Sequence, residues 1–181
     1  MARLHSGWPQ VPIIIANRWT YYLMGANEDD PAHKGQLIRF AGEATIQSQP
    51  EFLNEFRRSF LAGVCELSQR RTVYLMSPIP EMGLNVPDQV IENIREGHIP
   101  LDVSISLESH RERHTFVDQL MREARDQCGA RIIDPATVLR DGEICHGSIQ
   151  SRPLYFDDDH LNEYGNRLLV PIFEKALQRP K

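Results

Sequence analysis

Near the end of the chain, three consecutive aspartates lead into a histidine, and this run could perform acid–base chemistry. The run is Asp157-Asp-Asp-His160, and an apolar-periodic segment follows it. An Asp three residues before a His, on a turn that opens a helix, can accept the imidazole Nδ1 proton and leave Nε2 as a general base. We therefore predict that Asp157 and His160 are two members of a catalytic triad, whose third member is a serine or cysteine nucleophile.

Two other interpretations of this acidic run are open. Acidic residues before a helix stabilise the helix dipole, and Asp158 or Asp159 can be charges of that kind. Three carboxylates and a histidine could also hold a divalent cation. Adjacent carboxylates, however, point in different directions and lack the alternating ligand spacing of a calcium loop. We favour the catalytic interpretation and predict neither a metal nor another cofactor.

Further candidates lie in three other places. Asn17-Arg18-Trp19 follows an apolar run and could supply an oxyanion-hole amide and a stacking surface, or could be a turn with a core Trp. Tyr155 stands just before the acidic run, and we place it in the same substrate cleft. His110 and His114 are four residues apart, but they do not form the zinc motif H-E-x-x-H, so we predict a solvated helix start there.

Short buried strands alternate with amphipathic helices along the chain. We predict strands at 11–16, 72–76 and 131–134, helices at 50–71, 88–95, 109–128 and after a capping Asn162, a hairpin at 36–40, and a loop or hairpin at 141–153. This alternation indicates a parallel sheet with helices on both faces. Functional groups gather at the carboxyl ends of such strands, so we expect Asn17, Ser77, Asp134 and the 157–160 turn to share one cleft.

Composition limits the class of protein. The 181 residues suit one domain, 1–181, and the net charge of −5 argues against sequence-independent nucleic-acid binding. No apolar run has the length of a membrane span, and the first residues lack a signal-peptide core. The three cysteines indicate neither a zinc site nor a disulfide framework. We expect Cys65 in the core; Cys145 could be an exposed loop thiol, although a lone loop cysteine is usually a bystander.

The segment from Tyr155 to Gly165 resembles the last sequence block of the SGNH hydrolase superfamily, Asp-x-x-His followed by Leu, a capping residue and Gly. Together with Ile14 to Trp19 and Pro153 to Tyr155, it resembles the SGNH domain fused to bacterial acyltransferase-3 membrane proteins. The resemblance implies a three-layer α/β/α, flavodoxin-like fold with Asp157 and His160 in the triad and Asn17 as oxyanion donor. It also implies an acylated carbohydrate substrate, a membrane acyltransferase-3 domain as partner, and a periplasmic location.

One departure from this family concerns the nucleophile. Family members carry it in a Gly-Asp-Ser segment, which is absent from the 181 residues; Ser6 precedes the first strand but lacks that turn. We therefore expect the chain to be the C-terminal portion of an SGNH domain, with the last three of its five strands. Its first strand should be an apolar edge that a missing N-terminal segment covers. Alone, the chain should be inactive. The alternative is a non-catalytic module that binds an acylated sugar or a partner strand.

Overall fold

The computed structural model describes residues 11–27, 49–98 and 101–178. Its helices, numbered in chain order, are α1 Trp19–Met24, α2 Gln49–Ser68, α3 Val86–Glu96, α4 Leu107–Cys128, α5 Ala136–Leu139 and α6 Glu163–Leu177. Its strands are β1 Ile13–Ile15, β2 Val73–Met76, β3 Ser104–Ser106, β4 Arg131–Ile133, β5 Arg140–Asp141, β6 Ile144–His146, β7 Ser148–Ile149 and β8 Arg152–Pro153. The three predicted strands and the four predicted helices are confirmed, but of these three strands only β2 is buried along most of its length.

A parallel sheet with the strand order β1-β2-β4 forms the centre of the fold. Side chains alternate across its middle strand. Val73 and Leu75 pack on one face with helices α1, α2 and α4, whereas Met76 belongs to a second core that includes α3 and α6. Apolar helices therefore cover both faces, as the predicted α/β class requires.

Strand β1 lies at an edge of this sheet. Within the described residues it pairs with β2 alone, and the side chain of Ile14 is 38% exposed. An apolar strand with unpaired backbone groups on one side is the kind of edge to which another strand can add. The edge expected from the sequence is therefore present in the described part of the chain.

Two smaller sheets lie outside the parallel one. Strands β3, β6 and β5 form an antiparallel sheet in that order, and β7 pairs with β8. The region predicted as a loop or hairpin at 141–153 is therefore hairpin-like. Helix α1 and strand β3 were not predicted, because each is too short to produce a periodic pattern. The hairpin predicted at 36–40 lies outside the described residues.

Two predictions about the cysteines were wrong. Cys65 and Cys128 form a disulfide between α2 and α4, because the packing of these helices brings positions 63 apart in sequence to a Cα–Cα distance of 4.6 Å. Cys145 is fully buried in β6 and is not an exposed loop thiol. Burial raises the pKa of the Cys145 thiol, which disfavours its nucleophilic thiolate form.

No helix in the described ranges is both long enough and apolar enough to cross a bilayer.

Candidate active site

The predicted acid–base pair is formed within one tight turn. The Oδ1 atom of Asp157 accepts hydrogen bonds from the backbone N–H groups of Asp159, at 3.0 Å, and His160, at 2.8 Å. Its Oδ2 atom lies 2.8 Å from the Nδ1 atom of His160. One carboxylate therefore fixes both the turn and the imidazole orientation. Such a carboxylate favours the tautomer in which Nδ1 carries the proton and Nε2 is the base.

A second carboxylate shares the same imidazole nitrogen. The Oδ1 atom of Asp159 also lies 2.8 Å from His160 Nδ1, and the Asp159 side chain is only 2% exposed. Its other oxygen forms an ion pair with Arg18. Asp159 is therefore not a solvated charge that serves the helix dipole, which corrects one interpretation of the acidic run. The His160 side chain is 70% exposed, so its ring is accessible to a substrate.

Arginines neutralise the buried acids beneath this pair. Glu81, with a side chain 3% exposed, lies 3.4 Å from Arg18 Nε and 3.0 Å from Arg113 Nε. Arg113 also donates to the backbone oxygen of Gly25 at 2.6 Å. Buried charges are tolerated when they are paired and hydrogen bonded. Sequence reasoning missed Glu81 and Arg113, although Glu81 follows the proline-rich exit of β2, a position where functional groups gather in such sheets.

The turn is anchored on both sides. The backbone oxygens of Asp157 and Asp158 accept hydrogen bonds from the N–H groups of Val86 and Met82 at 3.0 and 2.8 Å. On the other side, Asn162 caps α6 by accepting from Gly165 N–H at 3.0 Å, as predicted. A functional turn held at both ends keeps its side chains in place without substrate.

Tyr155 corrects another prediction. Its side chain is fully buried and its hydroxyl donates to the backbone oxygen of Pro80 at 2.8 Å. Burial also raises the pKa of this phenol. Tyr155 therefore lies beneath the turn and supports it from the core, and it does not face a substrate.

A cleft of about 190 Å³ lies beside His160. Among the residues that line it are Asn17, Arg18, Trp19, Ser77, Glu81, Asp159 and His160. The predicted grouping of the first strand's exit, Ser77 and the acidic turn in one cleft is thus observed. Asn17 is exposed, and its Oδ1 atom accepts the Arg18 N–H at 2.8 Å, which leaves its Nδ2 group as a donor. Asp134 lines a separate cavity instead.

Trp19 serves both the cleft and the core. It lines the cleft, and its ring packs edge-on against Phe56 and Phe60 at centroid distances of 5.9 and 5.3 Å. Both interpretations of the Asn17-Arg18-Trp19 segment therefore apply to Trp19. The cleft wall at this position is rigid, because its aromatic side chain is fixed from behind.

His110 and His114 are buried, so the prediction of a solvated helix start was wrong. The Nδ1 atom of His114 lies 2.7 Å from Oγ1 of Thr20, a residue that lines the cleft. Burial is the main cause that lowers the pKa of His114 to about 3. His114 is therefore neutral at physiological pH and supports the cleft from behind.

The same turn also offers metal ligands. Donor atoms of Asp157, Asp159 and His160 all lie within 4.8 Å of one another. Both carboxylates, however, are directed at one imidazole nitrogen, Nδ1. This arrangement suits a group that holds and releases a proton at least as well as it suits a cation.

Comparison with known proteins identifies the family of the chain. The family model for the SGNH domain that is fused to AT3 domains matches residues 2–175. The chain belongs to this family. The resemblance inferred from the Asp157 to Gly165 block is therefore confirmed for nearly the whole chain.

A solved structure supports the same fold. It is the periplasmic domain of a lipopolysaccharide acetyltransferase from Salmonella ser. Paratyphi A, with a TM-score of 0.54 and 16% sequence identity. The alignment covers 76% of this chain and 54% of that one, so the chain spans about half the length of its structural neighbour. At 16% identity, the similarity between the two structures shows only that they share a fold. No curated protein matches the chain.

Proposed function

We propose that this SGNH domain transfers an acyl group to or from a carbohydrate hydroxyl, with His160 as general base and Asp157 as its positioning residue. The observation that carries the proposal is the 2.8 Å contact between His160 Nδ1 and Asp157 Oδ2 within an anchored turn. The substrate class follows the family, whose members are fused to AT3 domains, and the neighbouring lipopolysaccharide acetyltransferase domain. Acetyl is the acyl group we propose.

In the proposed reaction, the Nε2 atom of His160 takes the proton of a hydroxyl as that oxygen attacks the acyl carbonyl carbon. The imidazolium then returns this proton to the departing alkoxide, so that one ester bond forms and another breaks. Asp157 and Asp159 stabilise the positive ring through Nδ1. The Nδ2 group of Asn17, at the cleft wall, would donate to the carbonyl oxygen as it gains negative charge.

We further propose that the attacking hydroxyl comes from outside the described residues. Among those residues, no serine or cysteine side chain is hydrogen bonded to His160, and the full sequence contains no Gly-Asp-Ser. An AT3 domain is the partner we propose as the source of the acyl group, because domains of this family are fused to one. The Cys65–Cys128 disulfide supports an oxidising, periplasmic location for the reaction.

A second candidate function is binding without reaction. The absence of a serine or cysteine hydrogen bonded to His160 in the described part of the chain favours it. In that case an Asp157→Ala, His160→Ala double variant would keep the wild-type affinity for an acetylated oligosaccharide, measured by isothermal titration calorimetry. A catalytic site would instead show turnover that the double variant abolishes.

The test of the proposal measures the rate at which ester-linked acetate is incorporated into the surface carbohydrate of the source organism. His160→Gln should lower the rate of acetate incorporation by about 100-fold or more, the usual contribution of a general base. His98→Gln is the matched control, because His98 is also exposed and also contacts a carboxylate, Glu96, at 3.0 Å. Equal rates of acetate incorporation in the His160→Gln and His98→Gln strains would contradict the proposal.

A further inference from the structure

A second cavity, of about 260 Å³, lies between the carboxyl ends of β2 and β4 and helix α4. Ser77 follows β2 and lines both this cavity and the cleft beside His160. Asp134 follows β4, and Asp118 comes from α4. The acyl-transfer chemistry proposed above uses none of the groups that are particular to this second cavity.

The wall of the second cavity is rich in guanidinium groups. Arg111 and Arg122 of α4 and Arg140 of β5 line it, against the two carboxylates of Asp118 and Asp134. In the described part of the chain, no ion pair within 4.0 Å joins any of these arginines to either carboxylate. With three arginines against two aspartates, the lining carries a formal excess of positive charge. Guanidinium groups of this kind bind carboxylates and other oxyanions through paired N–H donors.

A buried histidine lies in the same wall. His110 lines the second cavity and is only 7% exposed, and its Nδ1 atom has no hydrogen-bond partner among the described residues. A buried polar nitrogen without a partner is costly, and such groups are rare in native proteins. This wall therefore contains a polar group that the described residues leave unsatisfied.

We propose that the second cavity binds an oxyanion, a carboxylate or sulfate-like group, through Arg111 and Arg122, next to the buried imidazole of His110. The site is separate from the Asp157–His160 pair, and its occupancy does not depend on acyl transfer. Because Ser77 belongs to both cavities, a sugar chain in the cleft would bring a neighbouring acidic sugar to this site. A free inorganic oxyanion offers the same chemistry, and the two sources are separated by experiment.

The protonation of Asp118 should tune the affinity. Burial is the main cause that raises the Asp118 pKa to about 6, and the charge of Asp134 also raises this pKa. The positive charges of Arg122 and Arg111 lower it. Arg140 and Asp134 face the same space from β5 and the end of β4, and burial is the main cause that lowers the pKa of His110. Lowering the pH through 6 therefore removes one negative charge from the wall and should tighten oxyanion binding.

The experiment is an NMR titration of the isotope-labelled chain with three probes at constant ionic strength: sulfate, methyl glucuronide and methyl glucoside. We expect saturable shifts of the His110 ring signals with sulfate, with glucuronide or with both, and none with the neutral glucoside. Tighter binding of glucuronide than of sulfate indicates a sugar-borne group, and the reverse order indicates a free ion. Equal shifts with glucoside and glucuronide would overturn the proposal.

Variants make the test specific to this cavity. Arg122→Gln should weaken sulfate binding by at least about 10-fold, as expected for the loss of a charged hydrogen bond. Arg125→Gln is the matched control, because Arg125 lies on the same helix but pairs with Asp126 at 2.8 Å on the exposed side. Arg111→Gln replaces Arg122→Gln should that variant not fold. His160→Gln should leave sulfate binding unchanged, so a failure of the acyl-transfer proposal is distinguishable from a failure of this one.

The pH arm uses sulfate, which keeps its charge over the range. Binding should be tighter at about pH 5 than at about pH 7.5, and Asp118→Asn should remove most of this difference by tightening binding at the higher pH. Linear, unsaturated shifts that are the same in wild type, Arg122→Gln and Arg125→Gln would show that the cavity holds no oxyanion site.

Discussion

Gly165, in the first turn of α6, is the position where a single methyl group should disturb the active site most. A Cβ atom added there would overlap the backbone oxygen of Leu154 and lie 3.0 Å from Cδ2 of Leu161. The Leu154 oxygen accepts a hydrogen bond from Asn162 N–H at 2.9 Å, so it cannot retreat without loss of that bond. The segment between Leu154 and Asn162 carries both Asp157 and His160.

Two opposing effects set the size of the change in Gly165→Ala. The higher helix propensity of alanine would stabilise the protein by up to about 1 kcal/mol. Forcing a methyl group into a packed site costs about 1–3 kcal/mol, and backbone atoms yield less readily than side chains. Because the overlap is with backbone, we take the upper end and expect a net loss of about 2 kcal/mol in the free energy of unfolding.

The assay is urea denaturation followed by circular dichroism, with Gly63→Ala as the matched control. Gly63 lies inside α2, and a Cβ atom built there has nothing within 4 Å. Gly63→Ala should therefore stabilise the protein by up to about 1 kcal/mol. If Gly165→Ala were as stable as Gly63→Ala, the close packing between α6 and the Leu154 segment would be refuted.

Three further predictions concern the core. Reduction of the Cys65–Cys128 disulfide should lower the free energy of unfolding by about 4 kcal/mol, the chain-entropy estimate for a separation of 63 residues. The measurement is denaturation with and without reductant, and equal midpoints would contradict the linkage. Because the His114 pKa of about 3 lies below its unfolded value near 6.5, the neutral ring stabilises the fold above pH 6.5 and this stability is lost as the pH falls towards 3. Against His114→Gln, wild type should lose about 1.4 kcal/mol per pH unit in that window, and a constant difference would contradict the burial of this ring. Glu81→Gln should cost about 2 kcal/mol or more in denaturation experiments because it removes the carboxylate partner of the partly buried Arg113. Glu163→Gln, in an exposed pair, should cost less than about 1 kcal/mol, and similar losses would refute the network.

Local patterns in the sequence were sufficient for most of the fold. The apolar spacing of Phe52, Phe56 and Val64 predicts α2, and the continuous apolar run at 73–76 predicts a strand buried on both faces. The Asp157–His160 contact was predictable for the same reason, because both partners lie within one turn. Short-range geometry is largely encoded by residue type and spacing.

Contacts between distant segments were not predictable in this way. Asp159 pairs with Arg18, and Cys65 pairs with Cys128, only because the sheet and helices bring them together. Spacing along the chain carries no information on such pairs.

The sequence contains a weak indication, missed above, that His110 and His114 are buried. Together with Val117 and Met121 they continue one helix face at spacings of four and three. The charged residues between them concealed that stripe. The hydroxyl of Tyr155, in turn, finds its partner in the backbone of Pro80, a contact that residue type alone does not reveal.

The most direct test of the central claim is the protonation of the His160 ring in the purified chain, read from its ring nitrogen signals by ¹H–¹⁵N NMR. We predict that neutral His160 carries its proton on Nδ1, which leaves Nε2 as the base, and that Asp157→Asn weakens this preference. A ring that carries its proton on Nε2 would contradict the role of His160 as the general base of an acyl transfer. A tautomer preference that is unchanged in Asp157→Asn would contradict the role of Asp157 as its positioning residue and would assign that role to Asp159, which contacts the same nitrogen.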